Sequence, residues 1–290
     1  MCILFFFPVI SALIAPAPAS NDAFAQDEAW STDTKIWIVS TRSSEWEGEI
    51  PVPVSLTKSN RGACSRPVYS PDGRWVAWLQ MEVPGYENDR RRIVLYDRQA
   101  ASRRYVLPKW DRSPTSIVFS PDSSEIYMTI FVATAEPGSA TPWRRPRELT
   151  ASGTAADLQF APDASASAPP GARVLVYIYH DLTSPPELFT MQAGTQDARR
   201  RTFVTRKRMD DVEGLVRPQD FWFRGATKHQ DIHGWVLAPE TSAAAEDGKL
   251  PLAFLIHGGP QSAWMDSWSV RWNPQIFAAA GYITIGEGAR

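Results

Sequence analysis

Three turns of one composition, spaced like the units of an array, constrain this chain more than any other feature in it. Val68-Tyr69-Ser70-Pro71-Asp72-Gly73 leads into a strand-like run at residues 74–80. Fifty residues on, Val118-Phe119-Ser120-Pro121-Asp122 leads into residues 125–130, and 41 residues after that Leu158-Gln159-Phe160-Ala161-Pro162-Asp163 precedes residues 173–179. Pro fixes φ, Asp bonds the backbone ahead of it, and Gly or Ser completes a tight turn between two strands. After the first turn, residues 92–97 read as a third strand. Residues 104–107 read as a fourth, beyond a turn at 99–102. Short strands repeating every 40–50 residues are the pattern of β-propeller blades, and residues 33–209 then hold about three to four of them. The Pro/Ser/Ala-rich stretches 134–147 and 164–171 read as connections.

From Asp220 the pattern changes. Residues 221–223 and 232–237 read as a hairpin around a polar turn at 225–231, and residues 241–249 as a loop. Residues 252–256 form a continuous apolar run, the pattern of a strand buried on both faces. Asn273-Pro274 opens a short helix with Pro in its first turn. That helix is expected to bury Ile276, Phe277 and Ala280 and to end at Gly281. Residues 282–285 begin another strand. Strand, loop, helix, strand is the assembly rule of a doubly wound sheet. The fold class is therefore all-β plus α/β: a partial β-propeller followed by an α/β segment, which the loop after residues 252–256 marks as the start of an α/β-hydrolase domain. The expected divisions are 1–25, 26–215 and 216–290.

The strand at 252–256 runs directly into His257-Gly258-Gly259-Pro260. An α/β-hydrolase builds part of its oxyanion hole in such a loop. Glycine matters there because a backbone N–H reaches a substrate oxyanion only where no Cβ intervenes. The candidate oxyanion residues are His257, Gly258 and Gly259, with Gly259 the favoured donor. In this fold the nucleophile, acid and base follow downstream of that loop. No G-x-S-x-G occurs in the 290 residues, so the Ser, Asp and His of a triad are expected beyond Arg290 and no catalytic triad residue is assigned here. Ser262 lies near the loop but lacks the strand–turn–helix setting of a nucleophile.

Residues 3–19 carry no charge, and the small residues around Ala17 to Ala19 and Ala23 to Ala25 resemble leader cleavage sites. Residues 1–25 are read as a signal peptide and the protein as secreted, although no Lys or Arg precedes the apolar run. Pro8, Pro16 and Pro18 interrupt a stretch already shorter than the ~20 residues of a membrane span. The formal net charge of −2 offers no basic excess for nucleic acid or an anionic membrane, so neither is expected as a partner. Loss of the leader would remove Cys2 and leave Cys64 unpaired. His180, His229 and His233 read as scattered turn residues, and no metal or cofactor is expected. The triplets Arg90 to Arg92 and Arg199 to Arg201 read as hairpin and loop surface.

Propeller-like repeats running into a strand that ends in HGGP resemble the prolyl oligopeptidase family of serine peptidases, nearest to a secreted fungal dipeptidyl-peptidase branch. The residues carrying this are PVYSPDGRWVAWLQM (67–81), DRRRIVLYD (89–97), WDRSPTSIVFSPD (110–122), LTSPPELF (182–189), FWFRGA (221–226), GWVLAP (234–239) and LIHGGPQSAWMDSWSVRWNPQIFAAAGY (255–282). The resemblance implies cleavage of peptide substrates from the amino terminus by acyl transfer to a serine, with the propeller shielding the site and no metal or cofactor. Trp264, Asp266, Trp268 and Arg271, with Trp272, then either line the substrate pocket or pack the hydrolase against the propeller; the sequence does not choose. Family propellers have about seven or eight blades, so this chain is expected to be a fragment. A contrasting expectation is a non-catalytic propeller-type binding module with a vestigial hydrolase segment.

Overall fold

The computed structural model describes residues 10–16, 31–40, 52–128, 131–134, 146–150, 152–161, 173–226, 231–239, 249–259 and 262–288. The chain divides into two compact units, one running to Arg147 and one built mainly from Glu148 onward. The connections expected at 134–147 and 164–171, the loop at 241–249, His229 and Pro260 lie wholly or largely outside the described residues, as does the leader apart from 10–16.

The first unit opens with a sheet of β1 (Ile10–Pro16), β2 (Thr34–Ser40) and β3 (Val54–Ser55) in that order. The segment read as a leader therefore contributes a strand, antiparallel to β2 with Ile10 opposite Ser40. Next comes an antiparallel meander of β4 (Cys64–Tyr69), β5 (Trp75–Gln80), β6 (Arg92–Asp97) and β7 (Ser102–Val106). A second meander holds β8 (Ile117–Phe119), β9 (Glu125–Met128), β10 (Phe131–Thr134) and the short β11 (Arg147–Glu148).

The repeated turns work as their composition requires. In the first, the Ser70 hydroxyl donates to Asp72 and accepts from Trp75 N–H at 2.9 Å, while Asp72 also accepts from Arg74 N–H at 3.1 Å. Gly73 sits at φ +69°. The second repeats this with Ser120, Asp122 and Glu125, and Ser123 takes the glycine's place at φ +62°. Alternation along β5 then sends side chains to two cores. Ala77 and Leu79 pack with Ile93, Leu95, Phe119, Ile126 and Met128, whereas Val76 and Trp78 pack with Ile36, Cys64 and Val94.

The second unit begins with β12 (Thr154–Phe160), β13 (Val174–Asp181), β14 (Ser184–Gln192) and β15 (Ala198–Arg200), again four antiparallel strands in sequence order, followed by the single turn α1 (Arg206–Met209). The last sheet differs. It contains β16 (Gln219–Arg224), β17 (Asp231–Leu237) and β18 (Leu252–Leu255), then α2 (Pro274–Ala279) and β19 (Ile283–Gly288), in the order β16-β17-β19-β18. Only β18 and β19 are parallel. Parallel strands need a crossover, and α2 lies within it.

Two expectations for this sheet are corrected. β18 is not buried on both faces: Leu252, Phe254 and Ile256 are 57%, 50% and 72% exposed. It occupies an edge of the sheet, and nothing among the described residues covers the face these three present. The helix buries Pro274, Gln275 and Ala278, not Ile276, Phe277 and Ala280; Ile276 is 63% exposed and Ala280 is also exposed. The reason is polar. Asn273 caps the helix by accepting from Gln275 N–H at 3.0 Å, and Gln275 Oε1 accepts from Val216 N–H at 2.9 Å. Gln275 Nε2 donates to the carbonyls of Val216 at 2.7 Å and Leu182 at 3.1 Å. These bonds turn that face inward, beside Leu237 and Val216. Gly281, at φ +91°, ends the helix as expected.

Candidate active site

The HGGP loop leaves the carboxyl end of β18, beside the parallel β19. Open α/β sheets bind ligands outside the carboxyl ends of their strands. Gly259 has φ +130°, a conformation that side-chain-bearing residues rarely adopt. Gly258 needs no such freedom, yet a Cβ built on it would meet no atom within 4 Å. Among the described residues, neither glycine's N–H donates a hydrogen bond. The half-buried His257 ring turns onto its own loop, with Nδ1 3.0 Å from the Gly258 carbonyl. The loop therefore carries two glycine amides that donate to no acceptor among the described residues.

Beyond the loop the chain is held at several points. Trp264 N–H donates to Glu287 O at 3.0 Å, pairing with the end of β19, and its ring covers Gly286, where a Cβ would lie 3.0 Å from Trp264 Cγ. Asp266 is fully engaged. One carboxylate oxygen accepts from Gly153 N–H at 2.8 Å, the other from Leu182 N–H at 2.9 Å, and its carbonyl accepts from the Thr154 hydroxyl at 2.9 Å. Trp268 N–H donates to His180 Nδ1 at 3.0 Å, with Ser267 Oγ at 3.3 Å from the same nitrogen. Arg271 and Trp272 are exposed, and their N–H groups close a turn on Ser269 Oγ. Ser262 is half-buried and stands in no strand–turn–helix elbow.

Of the four cluster residues, Asp266 and Trp268 thus meet the β12–β13–β14 sheet through hydrogen bonds. Trp264 meets β19, and Arg271 faces outward. Sequence reading missed His180 as a partner. It sits in β13, not in a turn, and His233 likewise lies in β17 between Trp222 and Trp235. Burial pushes the His180 imidazole below its ordinary 6.5, against the opposing fields of Asp181 and Asp266. No local signal marks His180, because its partners lie 87 and 88 residues away. The arginine triplets act as braces. Arg90 donates to the carbonyls of Trp110 and Pro108, and Arg200 meets Glu187 at 2.9 Å. Among the described residues no cluster of His, Cys, Asp or Glu could hold a metal, and no helix is long and apolar enough to cross a membrane.

No protein-family model matches the sequence. Over 258 residues the chain is 33% identical to a probable dipeptidyl-peptidase 5 of Emericella nidulans, an alignment covering 88% of this chain and 34% of that protein. It is 32% identical over 231 residues to a dipeptidyl-peptidase 5 of Schizosaccharomyces pombe, covering 77% of this chain and 31% of that protein. The chain spans about a third of the length of the curated relatives it matches. Among solved structures it resembles a puromycin-hydrolyzing peptidase of Mycobacterium tuberculosis, with TM-score 0.59 and 15% identity over 96% of this chain and 39% of that one. An acylaminoacyl peptidase of Pyrococcus horikoshii gives TM-score 0.55 and 15% identity over 95% of this chain and 48% of that one. At such identity these likenesses speak for the fold.

Proposed function

We propose that the chain is part of a serine peptidase of the prolyl oligopeptidase family, as its likeness to the dipeptidyl-peptidase 5 relatives supports, and that it carries the oxyanion loop of a serine-type dipeptidyl-peptidase. In this reading the three four-stranded meanders, with the sheet formed by β1 to β3, are three to four propeller blades. The sheet from residue 216 onward is the start of an α/β-hydrolase domain. The reaction is hydrolysis of a peptide near its amino terminus by acyl transfer to serine. The propeller screens the site, and no metal or cofactor takes part.

One observation carries this reading: the HGGP loop stands at the carboxyl end of β18 with glycine N–H groups that no described acceptor takes. In the transition state the carbonyl oxygen of the scissile bond gains negative charge. The N–H of Gly259, helped by that of Gly258, would donate to it, while His257 shapes the loop. Donors fixed in advance need no reorganisation as charge develops, so their effect falls on turnover. Arg271 and the Trp rings of the following segment are proposed to border the peptide, with Asp266 holding that segment in place.

The test is Gly259→Val in a full-length dipeptidyl-peptidase relative carrying this same loop. Turnover of dipeptidyl substrates should fall by about 10²–10³, the usual effect of losing one oxyanion donor. The loop is exposed, so the fold should be retained, with the melting temperature lowered only by the strain of a valine at φ +130°. Full activity in the variant would make HGGP a structural turn and sink the proposal.

A further inference from the structure

We propose that Asp266 and His180 are positioning residues that dock the segment following the oxyanion loop onto the β12–β13–β14 sheet, with Asp266 as the permanent contact and His180 as an acid-labile one. The inference rests on the oxyanion reading for its meaning in catalysis, but its geometry stands apart from it.

Asp266 lies seven residues beyond Gly259. Its side chain accepts two main-chain N–H groups from separate places, Gly153 at the start of β12 and Leu182 in the β13–β14 turn. A carboxylate is suited to this because it only accepts and has two oxygens to offer. Gly153 is itself constrained, with φ +73° and the Tyr179 hydroxyl 2.3 Å from where a Cβ would lie, so the donor cannot readily be moved. Two residues on, the main chain of the docked segment reverses the polarity of the contact: Trp268 N–H donates, and His180 Nδ1 accepts at 3.0 Å. An N–H can only donate, so His180 must carry its lone pair on Nδ1 and its proton on Nε2.

That requirement makes the second contact sensitive to acid. Protonation of His180 would set N–H against N–H and break the bond to Trp268. The charged groups facing the imidazole are Asp181 on its own strand and Asp266 on the docked segment. Both favour the imidazolium; burial opposes it and prevails, keeping the imidazole below its ordinary value. The neutral form therefore holds the dock at neutral pH. This contribution is lost as pH falls through the folded-state value, which lies under 6.5. Asp181 spends one oxygen on the Thr183 N–H and hydroxyl at 2.8 Å each and so stays with its own turn. The consequence for the proposed site is that the strand end, the HGGP loop and the docked segment form one tethered run, whose far end loosens in acid.

The test is amide hydrogen exchange of this chain, read at residues 262–272 by mass spectrometry between pH 8 and pH 5 and corrected for intrinsic rates. The wild type should lose about tenfold in protection of this segment across that range, in keeping with one lost hydrogen bond. His180→Asn keeps an acceptor near the Nδ1 position without a titrating ring, so its protection should stay flat with pH. Asp266→Ala should lower protection at every pH, at the segment and at Gly153 and Leu182 alike. Near-ultraviolet circular dichroism of each variant establishes that the remaining packing is native, and His180→Gln serves if His180→Asn fails to fold. Equal pH dependence in wild type and the folded His180 variant would overturn the acid-labile role, and unchanged protection in Asp266→Ala would overturn the dock. Neither outcome depends on turnover, so the failure of this inference and that of the oxyanion reading are distinguishable.

Discussion

Glu187 offers a direct test of the second unit. It lies on β14 with its side chain 1% exposed, a costly place for a carboxylate unless every lone pair is met. Five donors surround it. Arg200 Nη2 and Thr205 N–H donate at 2.9 and 3.0 Å, the Thr205 hydroxyl at 2.8 Å and Val204 N–H at 3.3 Å, with the Thr202 hydroxyl completing the set. Burial alone would raise the carboxyl, but the bonds from Thr202, Thr205 and Arg200 outweigh it and bring it from 4.5 down to about 2. A carboxyl so displaced contributes about 3 kcal/mol to folding at neutral pH. Because the folded value is the lower one, that contribution is complete above the unfolded value of 4.5 and is lost as pH falls through about 2. Glu187→Gln keeps the shape and removes the charge. Urea unfolding at pH 7 should show the variant about 3 kcal/mol less stable, and the gap between the two proteins should narrow toward zero as pH approaches 2. Other carboxylates titrate in both proteins and cancel from the difference. Equal stability at pH 7, or a gap that does not change with pH, would refute the idea that this carboxylate ties β15 and α1 to the sheet.

Two further outcomes follow from the same geometry. Gln275→Ala removes three buried hydrogen bonds and strands the Val216 N–H, so thermal or urea unfolding should register a loss of about 2–4 kcal/mol; a loss below about 1 kcal/mol would mean that α2 is held by its apolar contacts alone. The 290-residue chain should remain unlabelled by a serine-directed fluorophosphonate, since none of its serines stands in a G-x-S-x-G, and stoichiometric labelling of Ser262 would overturn the placing of the nucleophile outside these residues.

What could be read from the sequence was what the chain settles over short distances. The Ser-Pro-Asp turns were legible because the hydrogen bonds that close them join residues no more than five apart. The same locality explains why Ser123 stands in for Gly73 without loss of the turn, at the cost of a left-handed φ. The strands at 92–97 and 231–237 were legible from composition, and the HGGP loop from an apolar run meeting two glycines. Burial was harder. A run such as Leu252 to Ile256 records that a strand tolerates apolar surroundings on both sides, but not which side a neighbour covers. Likewise Ile276 and Phe277 look like a helix core until Gln275 is seen bonding Leu182, 93 residues earlier.

The candidate site divides along the same line. Its donors are backbone groups that glycine leaves accessible, so residue type alone points to them. Its supports are long-range and polar: Asp266 reaches back 84 residues to Leu182 and 113 to Gly153, and His180 reaches forward 88 to Trp268. In the sequence Asp266 stands among tryptophans and an arginine, as a substrate-facing residue could, and no spacing rule separates a carboxylate that meets a ligand from one that meets two amides. The difference lies in whether its oxygens are already occupied. Here both are, so the charge of Asp266 is spent on holding the segment, and the proposed contact with a substrate oxyanion rests on the Gly258 and Gly259 amides, which donate to no described acceptor.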